Sequence, residues 1–196
     1  MQEDFENSTA SSAENFDVFI PDNNEEKLID AALILGHKKI VFLSDNLDYP
    51  KKFLNLKDRK GIQVMFGIYI RDPSQSQKAK SRGFDFTFAD AERKFFESNI
   101  DYILDAELSD RKDSFHYKST RLNQVHAQLS KKNDQAIVFS FSNLLNEKNI
   151  YGRMHQNAMI AQKFKLNMCA FSMAKTPEEI RSSTILDALL SVLKQK

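Results

Sequence analysis

Residues 16–43 read FDVFIPDNNEEKLIDAALILGHKKIVFL, one full cycle of a pattern that the rest of the chain repeats. The apolar run 16–20 reads as a strand, and Pro21 ends it. Asn23, with Glu26 three residues on, resembles a capping box opening a helix. Leu28, Ile29, Ala32, Leu33 and Leu35 form that helix's apolar stripe, and Gly36 closes it as a C-cap. Residues 39–43 are a second strand. Its core, IVFL, does not alternate with polar residues, which suits a strand buried on both faces, as in a parallel sheet covered by helices.

The cycle recurs outward from this unit. A proline in its first turn opens a short helix at 50–59, ended by Gly61, and 62–70 is a third strand. Residues 71–83 (RDPSQSQKAKSRG) carry four basic residues and one acid, and read as a loop or weak helix. A strand at 84–88, a helix at 89–98 and a strand at 100–104 follow, with Asn99 as a left-handed cap between the last two. Residues 122–132 are a helix with Leu122, Val125, His126 and Leu129 on one face, and 136–141 is a strand. Ile150, Met154, Ala158, Ala161 and Phe164 form a stripe at helical spacing. A last strand at 166–171 leads to a C-terminal helix at 184–193.

About seven alternations of strand and helix call for an α/β fold with a parallel sheet. No GxGxxG turn or GxxxxGK[ST] loop follows any strand, so nucleotide-binding open sheets lose their support. A TIM-barrel-like (β/α) barrel is expected as a single domain over residues 16–196, with function on the loops after the strands.

The 196 residues suit one domain with a real core. The formal charge of +1 is unevenly spread. Residues 1–17 contain five acids and no Lys or Arg, leaving 28 basic and 22 acidic side chains in residues 18–196, a net +6. Residues 1–15 are expected to be a disordered acidic leader, and the modestly basic remainder is compatible with phosphate contact. No apolar run approaches the ~18 residues of a membrane span, and the N-terminus lacks the basic then apolar order of a signal peptide. One cysteine, Cys169, forbids an internal disulfide and fits a cytoplasmic location.

The chemistry-bearing residues are sparse. His37, His116, His126 and His155 show no ligand spacing, so no metal site is expected from them. Asp105, Glu107, Asp110 and Asp113 follow the fifth strand and could hold Mg²⁺, but Arg111, Lys112, Lys118 and Arg121 interleave with them and favour a self-neutralised loop. No GxSxG elbow is present. Phe115 and Tyr117 stand among the basic residues of this loop, a pattern that serves either RNA backbone tracking with base stacking or docking on a protein.

Residues 100–146 (IDYILDAELSDRKDSFHYKSTRLNQVHAQLSKKNDQAIVFSFSNLLN), with RMHQNAMIAQKFKLNM at 153–168 and SMAKTPEEIR at 172–181, resemble the archaeal ribonuclease P protein component 3 family. The matching residues are Asp101 to Leu104, Asn123, Val125, Phe141, Leu144, Leu145, Arg153, Met154, Asn157, Ala161, Ser172, Ala174 and Arg181. Arg121 stands where the family has a glycine, and Ile185 where an Asp is common. The chain ends at Lys196, short of a further C-terminal helix that many relatives carry, so an incomplete last turn of the barrel is expected.

The resemblance implies a barrel without its own catalytic residues that assists a catalytic RNA in cutting the 5′ leader from precursor tRNA. It implies Mg²⁺ on that RNA, no cofactor on the protein, and ribonuclease P protein component 2 as partner in a heterodimer or dimer of heterodimers. Related barrel phosphoesterases carry an HxH pair on the first strand, where this chain has Asp17, Val18 and Phe19. The residues expected to contact RNA or partner are Arg111, Lys112, Phe115, Tyr117, Lys118, Arg121, Arg153, Lys175 and Arg181. The alternative is a free-standing metal-dependent barrel phosphoesterase using Asp105, Glu107 and Asp113.

Overall fold

The computed structural model describes residues 16–59, 61–115 and 117–195; the expected leader and His116 lie outside them. Strands β1 (Asp17–Phe19), β2 (Lys39–Ser44), β3 (Gln63–Tyr69), β4 (Phe86–Asp90), β5 (Tyr102–Leu104), β6 (Ala136–Ser140) and β7 (Asn167–Phe171) lie side by side in chain order. Every neighbouring pair is parallel. The two ends of the sheet meet at a seam, where Phe19 bridges Ala174. There the Ile20 amide donates to the Ala174 carbonyl at 2.8 Å, and the Ser172 amide to Asp17 Oδ1 at 2.7 Å. The result is a nearly closed, TIM-barrel-like α/β domain.

Helices α1 (Glu25–Ile34), α2 (Tyr49–Lys52), α3 (Gln75–Ser81), α4 (Arg93–Phe96), α5 (Gln124–Lys132), α6 (Phe141–Asn146), α7 (Ile150–Phe164) and α8 (Ser183–Leu193) surround the sheet, with 3-10 turns at Leu54–Asp58 and Pro177–Glu179.

Strand alternation divides the apolar residues into two layers. Phe16, Val18, Val41, Leu43, Met65, Phe88, Leu104, Val138, Phe171 and Met173 fill the barrel. Phe42, Ile68, Ile103 and Phe139 face outward to the helices. Val41, Phe42, Ile68, Ile103, Val138 and Phe139, all within the apolar runs read as strands, are buried. Phe16 stacks on Phe86 and Phe171 at 5.0 and 5.2 Å, and Tyr102 meets Phe171 edge-on, so aromatic rings plug the interior. Gly67 faces this packing. A Cβ there would lie 2.6 Å from Phe88 Cε2 and 3.0 Å from Val41 Cγ1, so only a missing side chain fits.

Several local expectations fail for physical reasons. The capping box at Asn23 does not form: Asn23 takes a left-handed φ of 54° and Asn24 is the N-cap residue. The Asn24 side chain accepts from the Asp22 amide and donates to the Lys175 carbonyl, while Glu26 pairs with Arg59. The helix expected at 89–98 shrinks to one turn, because Ala89 and Asp90 extend β4 against Ile103 and Leu104. Asn99 is not left-handed. Val125 is exposed, since α5 buries Ala127 and Ser130 instead. Residues 50–59 divide into α2 and a 3-10 turn, and 71–83 contains a true helix, α3. Gly36 behaves as read: with φ 81° it donates to Leu33 while His37 donates to Ala32, a Schellman closure.

Candidate functional site

Segment 105–123 follows β5 at the C-terminal mouth of the barrel, the end where barrels gather their function. It enters through Asp105, whose φ is 54°, and leaves at Asn123, whose side chain accepts from the His126 amide to cap α5. Its middle is fastened to α7. Arg153 donates from Nε to Asp113 Oδ1 at 3.0 Å, and from its two terminal nitrogens to the carbonyls of Ser109 and Arg111. Gln156 reads the backbone of Lys118 on both sides, accepting from its amide at 2.9 Å and donating to its carbonyl at 2.7 Å. Lys118 Nζ lies 3.7 Å from Asp113, and its stem lies against Gly152. The Ser119 amide, then Arg153, holds the Asp113 carboxyl below the usual carboxylate range.

This geometry corrects the charge pairing that the interleaved sequence suggests. Asp113 serves Arg153 and Lys118, whereas Arg111 and Lys112 are exposed and form no ion pair among the described residues. Phe115 is 94% exposed and Tyr117 53%. Arg121 is half-buried, its amide donating to the Ala106 carbonyl and its own carbonyl bonded to His126 Nδ1. Two open grooves of roughly 580 and 550 Å³ share the Ser109, Asp110 and Arg121 wall.

Beneath the loop, Asn143 of α6 donates to Asp105 Oδ1 at 2.7 Å and to Glu107 Oε1 at 3.2 Å. Glu107 is fully buried, its Oε2 has no hydrogen-bond partner among the described residues, and burial pushes its carboxyl up to about 7. Burial also raises the Asp105 carboxyl. Burial and the neighbouring Asp90 raise Tyr69 in the same mouth. Sealed from solvent, Glu107 cannot reach a substrate as a general base. Asp113 is engaged elsewhere, and among the described residues no three His, Cys, Asp or Glu side chains are placed to hold a metal ion. The three carboxylates of the phosphoesterase reading therefore do not form a donor set.

Lys175 and Arg181 follow β7. Lys175 is exposed; Arg181 is half-buried, donates to the carbonyls of Glu178 and Ile180, and lies 5.1 Å over the Phe141 ring. Helix α6 links them to the loop, because Ser142 N donates to the Ser172 carbonyl while Asn143 holds Asp105 and Glu107.

Gln156 and Asn143 escaped the sequence reading. The signal for Gln156 was present, since Gly152, Arg153 and Gln156 share one helix face by spacing. Also unforeseen is a buried pair at the seam: His37 Nε2 lies 3.9 Å from Asp17 Oδ2 and bonds the Arg181 carbonyl. Burial pushes Asp17 up to about 6. Folding does bring a histidine near Cys169, as both line a cavity of about 60 Å³ under α8, but burial pushes the thiol up to about 11 and keeps it protonated. His126 stacks on Phe96 at 4.5 Å, and His155 bonds the Gln195 carbonyl.

The arrangement is thus a clamped loop on a plugged barrel. The chain shares its fold with a chain of archaeal ribonuclease P. That chain, seen by cryo-EM with mature tRNA, superposes with a TM-score of 0.70 at 18% identity, covering 91% of this chain and 82% of its own. A histidinol phosphate phosphatase from Lactococcus lactis, solved with zinc, L-histidinol and phosphate, superposes with a TM-score of 0.62 at 11% identity, covering 93% and 94%. No family model matches the sequence. No curated protein matches it by sequence. Among the described residues, no helix is long and apolar enough to cross a membrane.

Proposed function

We propose that this protein is a protein subunit of ribonuclease P, located in the cytoplasm, which assists a catalytic RNA in endonucleolytic removal of the 5′ leader from precursor tRNA. The observation that carries the reading is the fold likeness to an archaeal ribonuclease P chain over nine-tenths of the sequence. The family-motif residues support it by what they do. Asn123 caps α5, Arg153 ties loop 105–123 to α7, and Ser172 accepts from the Arg181 amide. They build the rim rather than react.

In this reading the protein positions and shields, and its RNA partner holds Mg²⁺ on phosphates. Arg111, Lys112, Phe115, Tyr117 and Lys175 are presented outward, while Lys118, Arg121, Arg153 and Arg181 fix their presentation. An electrically balanced loop bearing exposed aromatics suits a protein partner at this rim, which the family resemblance names as ribonuclease P protein component 2.

The test is reconstitution with catalytic RNA, that partner and precursor tRNA. The chain alone is expected to release no 5′ leader in Mg²⁺, and adding it to RNA and partner is expected to raise cleavage. Turnover by the RNA-free protein that survives ribonuclease treatment would instead support the phosphoesterase, whose fold likeness is comparable in coverage.

A further inference from the structure

The positive charge of the folded chain is not at the rim. Segment 105–123 holds four basic and four acidic residues. Residues 49–60 and 71–83 together hold nine Lys and Arg against Asp58 and Asp72, a net +7, which exceeds the +6 of residues 18–196 as a whole. The remainder of the domain is therefore slightly acidic.

The fold sets these two segments side by side. One crosses from β2 to β3 and the other from β3 to β4, and those strands are neighbours in the sheet. Four of the nine cations are offset by carboxylates outside the two segments: Arg82 donates to Asp48 at 2.8 Å, Lys57 to Asp85 at 3.4 Å and Arg71 to Asp45 at 3.3 Å, and Arg59 pairs with Glu26 and Asp30. Lys51, Lys52, Lys78 and Lys80 remain exposed. Among the described residues, Lys52, Lys78 and Lys80 have no carboxylate partner, and Lys51 reaches Asp48 only at 3.9 Å. Helix α3 (QSQKAKS) contains no acid, and its other exposed groups are hydroxyl and amide side chains that can donate to phosphate.

We infer that the outer surface of α2, the 3-10 turn at Leu54–Asp58 and α3 docks the phosphate backbone of an RNA helix. The inference rests on the ribonuclease P reading for the choice of RNA as the polyanion. A single strand would need exposed aromatic platforms for its bases. Here Tyr49 and Phe84 are buried, and Phe53 is half-buried beneath Lys52 Nζ at 4.8 Å. Clustered ammonium groups without aromatics match the sequence-independent backbone of a duplex.

The experiment compares the full chain with Lys52→Gln/Lys78→Gln/Lys80→Gln, and with Arg111→Gln/Lys112→Gln/Lys175→Gln, for binding a fluorescent RNA duplex across a KCl series. The flank variant removes side chains with no ion pair, so its fold is expected to hold, which circular dichroism checks. Its binding is expected to fall several-fold, with the salt slope shallower by about 0.7 to 0.9 per lost contact, while the rim variant binds like the parent. Equal affinity and slope for flank variant and parent, loss confined to the rim variant, or no duplex binding by the parent each overturns the inference. Loss of affinity for the protein partner with duplex binding unchanged overturns it too. Reconstituted leader cleavage, measured on the same three proteins, judges the ribonuclease P reading separately: flank-dependent duplex binding without any stimulation of cleavage sinks that reading and leaves this surface standing.

Discussion

Glu107 is sealed in the mouth of the barrel with one carboxylate oxygen unpaired among the described residues, and two acids there share a single amide from Asn143. Its carboxyl moves from 4.5 to about 7 through burial. A raised folded-state value means the folded form holds its proton while the unfolded form loses it. The stabilising contribution is therefore complete below about pH 4.5 and is lost as pH rises towards 7. That displacement corresponds to about 3 kcal/mol. Glu107→Gln is expected to flatten this part of the pH profile, matching the parent near pH 4.5 and exceeding its stability at pH 8, as read by urea unfolding at each pH. The missing side chain of Gly67 leaves room for the Phe88 ring. Gly67→Ala should cost about 1 to 3 kcal/mol by overpacking, measured the same way at one pH.

At the scale of elements, the contact that matters is the fastening of loop 105–123 to α7 by Arg153 and Gln156. Arg153→Met removes donors to Asp113, Ser109 and Arg111 together. Faster amide hydrogen exchange is expected across 109–120, with β2 and β3 unchanged; unchanged exchange in the loop would refute the clamp. Gln156→Ala should release Lys118 in the same measurement. Apolar runs located all seven strands to within two or three residues, because burial on both faces leaves an unmistakable run in strands such as β2 and β6. The stripe from Ile150 to Phe164 matches α7 residue for residue. What failed depended on partners distant in the chain: Asn24 turned to Lys175, Ala89 and Asp90 paired with β5, and Asp113 paired with Arg153, forty residues away, and not with Arg111 or Lys112. The loop was found from its charges and aromatics, whereas Asn143 and Gln156 were not, since a polar helix face does not say what it will hold.

The whole molecule is a barrel with a weak side. Among the described residues, β1 is joined not to β7 itself but to Ser172 and Ala174 just after it, and α8 packs there with Leu186, Leu189 and Leu193 buried. Helix α8 thus takes the covering role that a further strand would have. Leu193→Ala should cost about 2 to 5 kcal/mol and lower the urea midpoint. Removing residues 183–196 should uncover the cavity wall at Cys169, which is partly buried in the intact protein, and speed its labelling by thiol reagents.

The seam has a consequence for how the chain is made. Asp17 receives its hydrogen bond from Ser172, a partner 155 residues later. A ribosome delivering the chain from its N-terminus releases β1 long before the groups that complete its pairing. Until then the rings of Phe16, Phe86 and Tyr102 lack Phe171, and the inner wall stays wet. A chain emerging in this order cannot close its barrel until those groups appear, and its apolar concave side is open to aggregation until then.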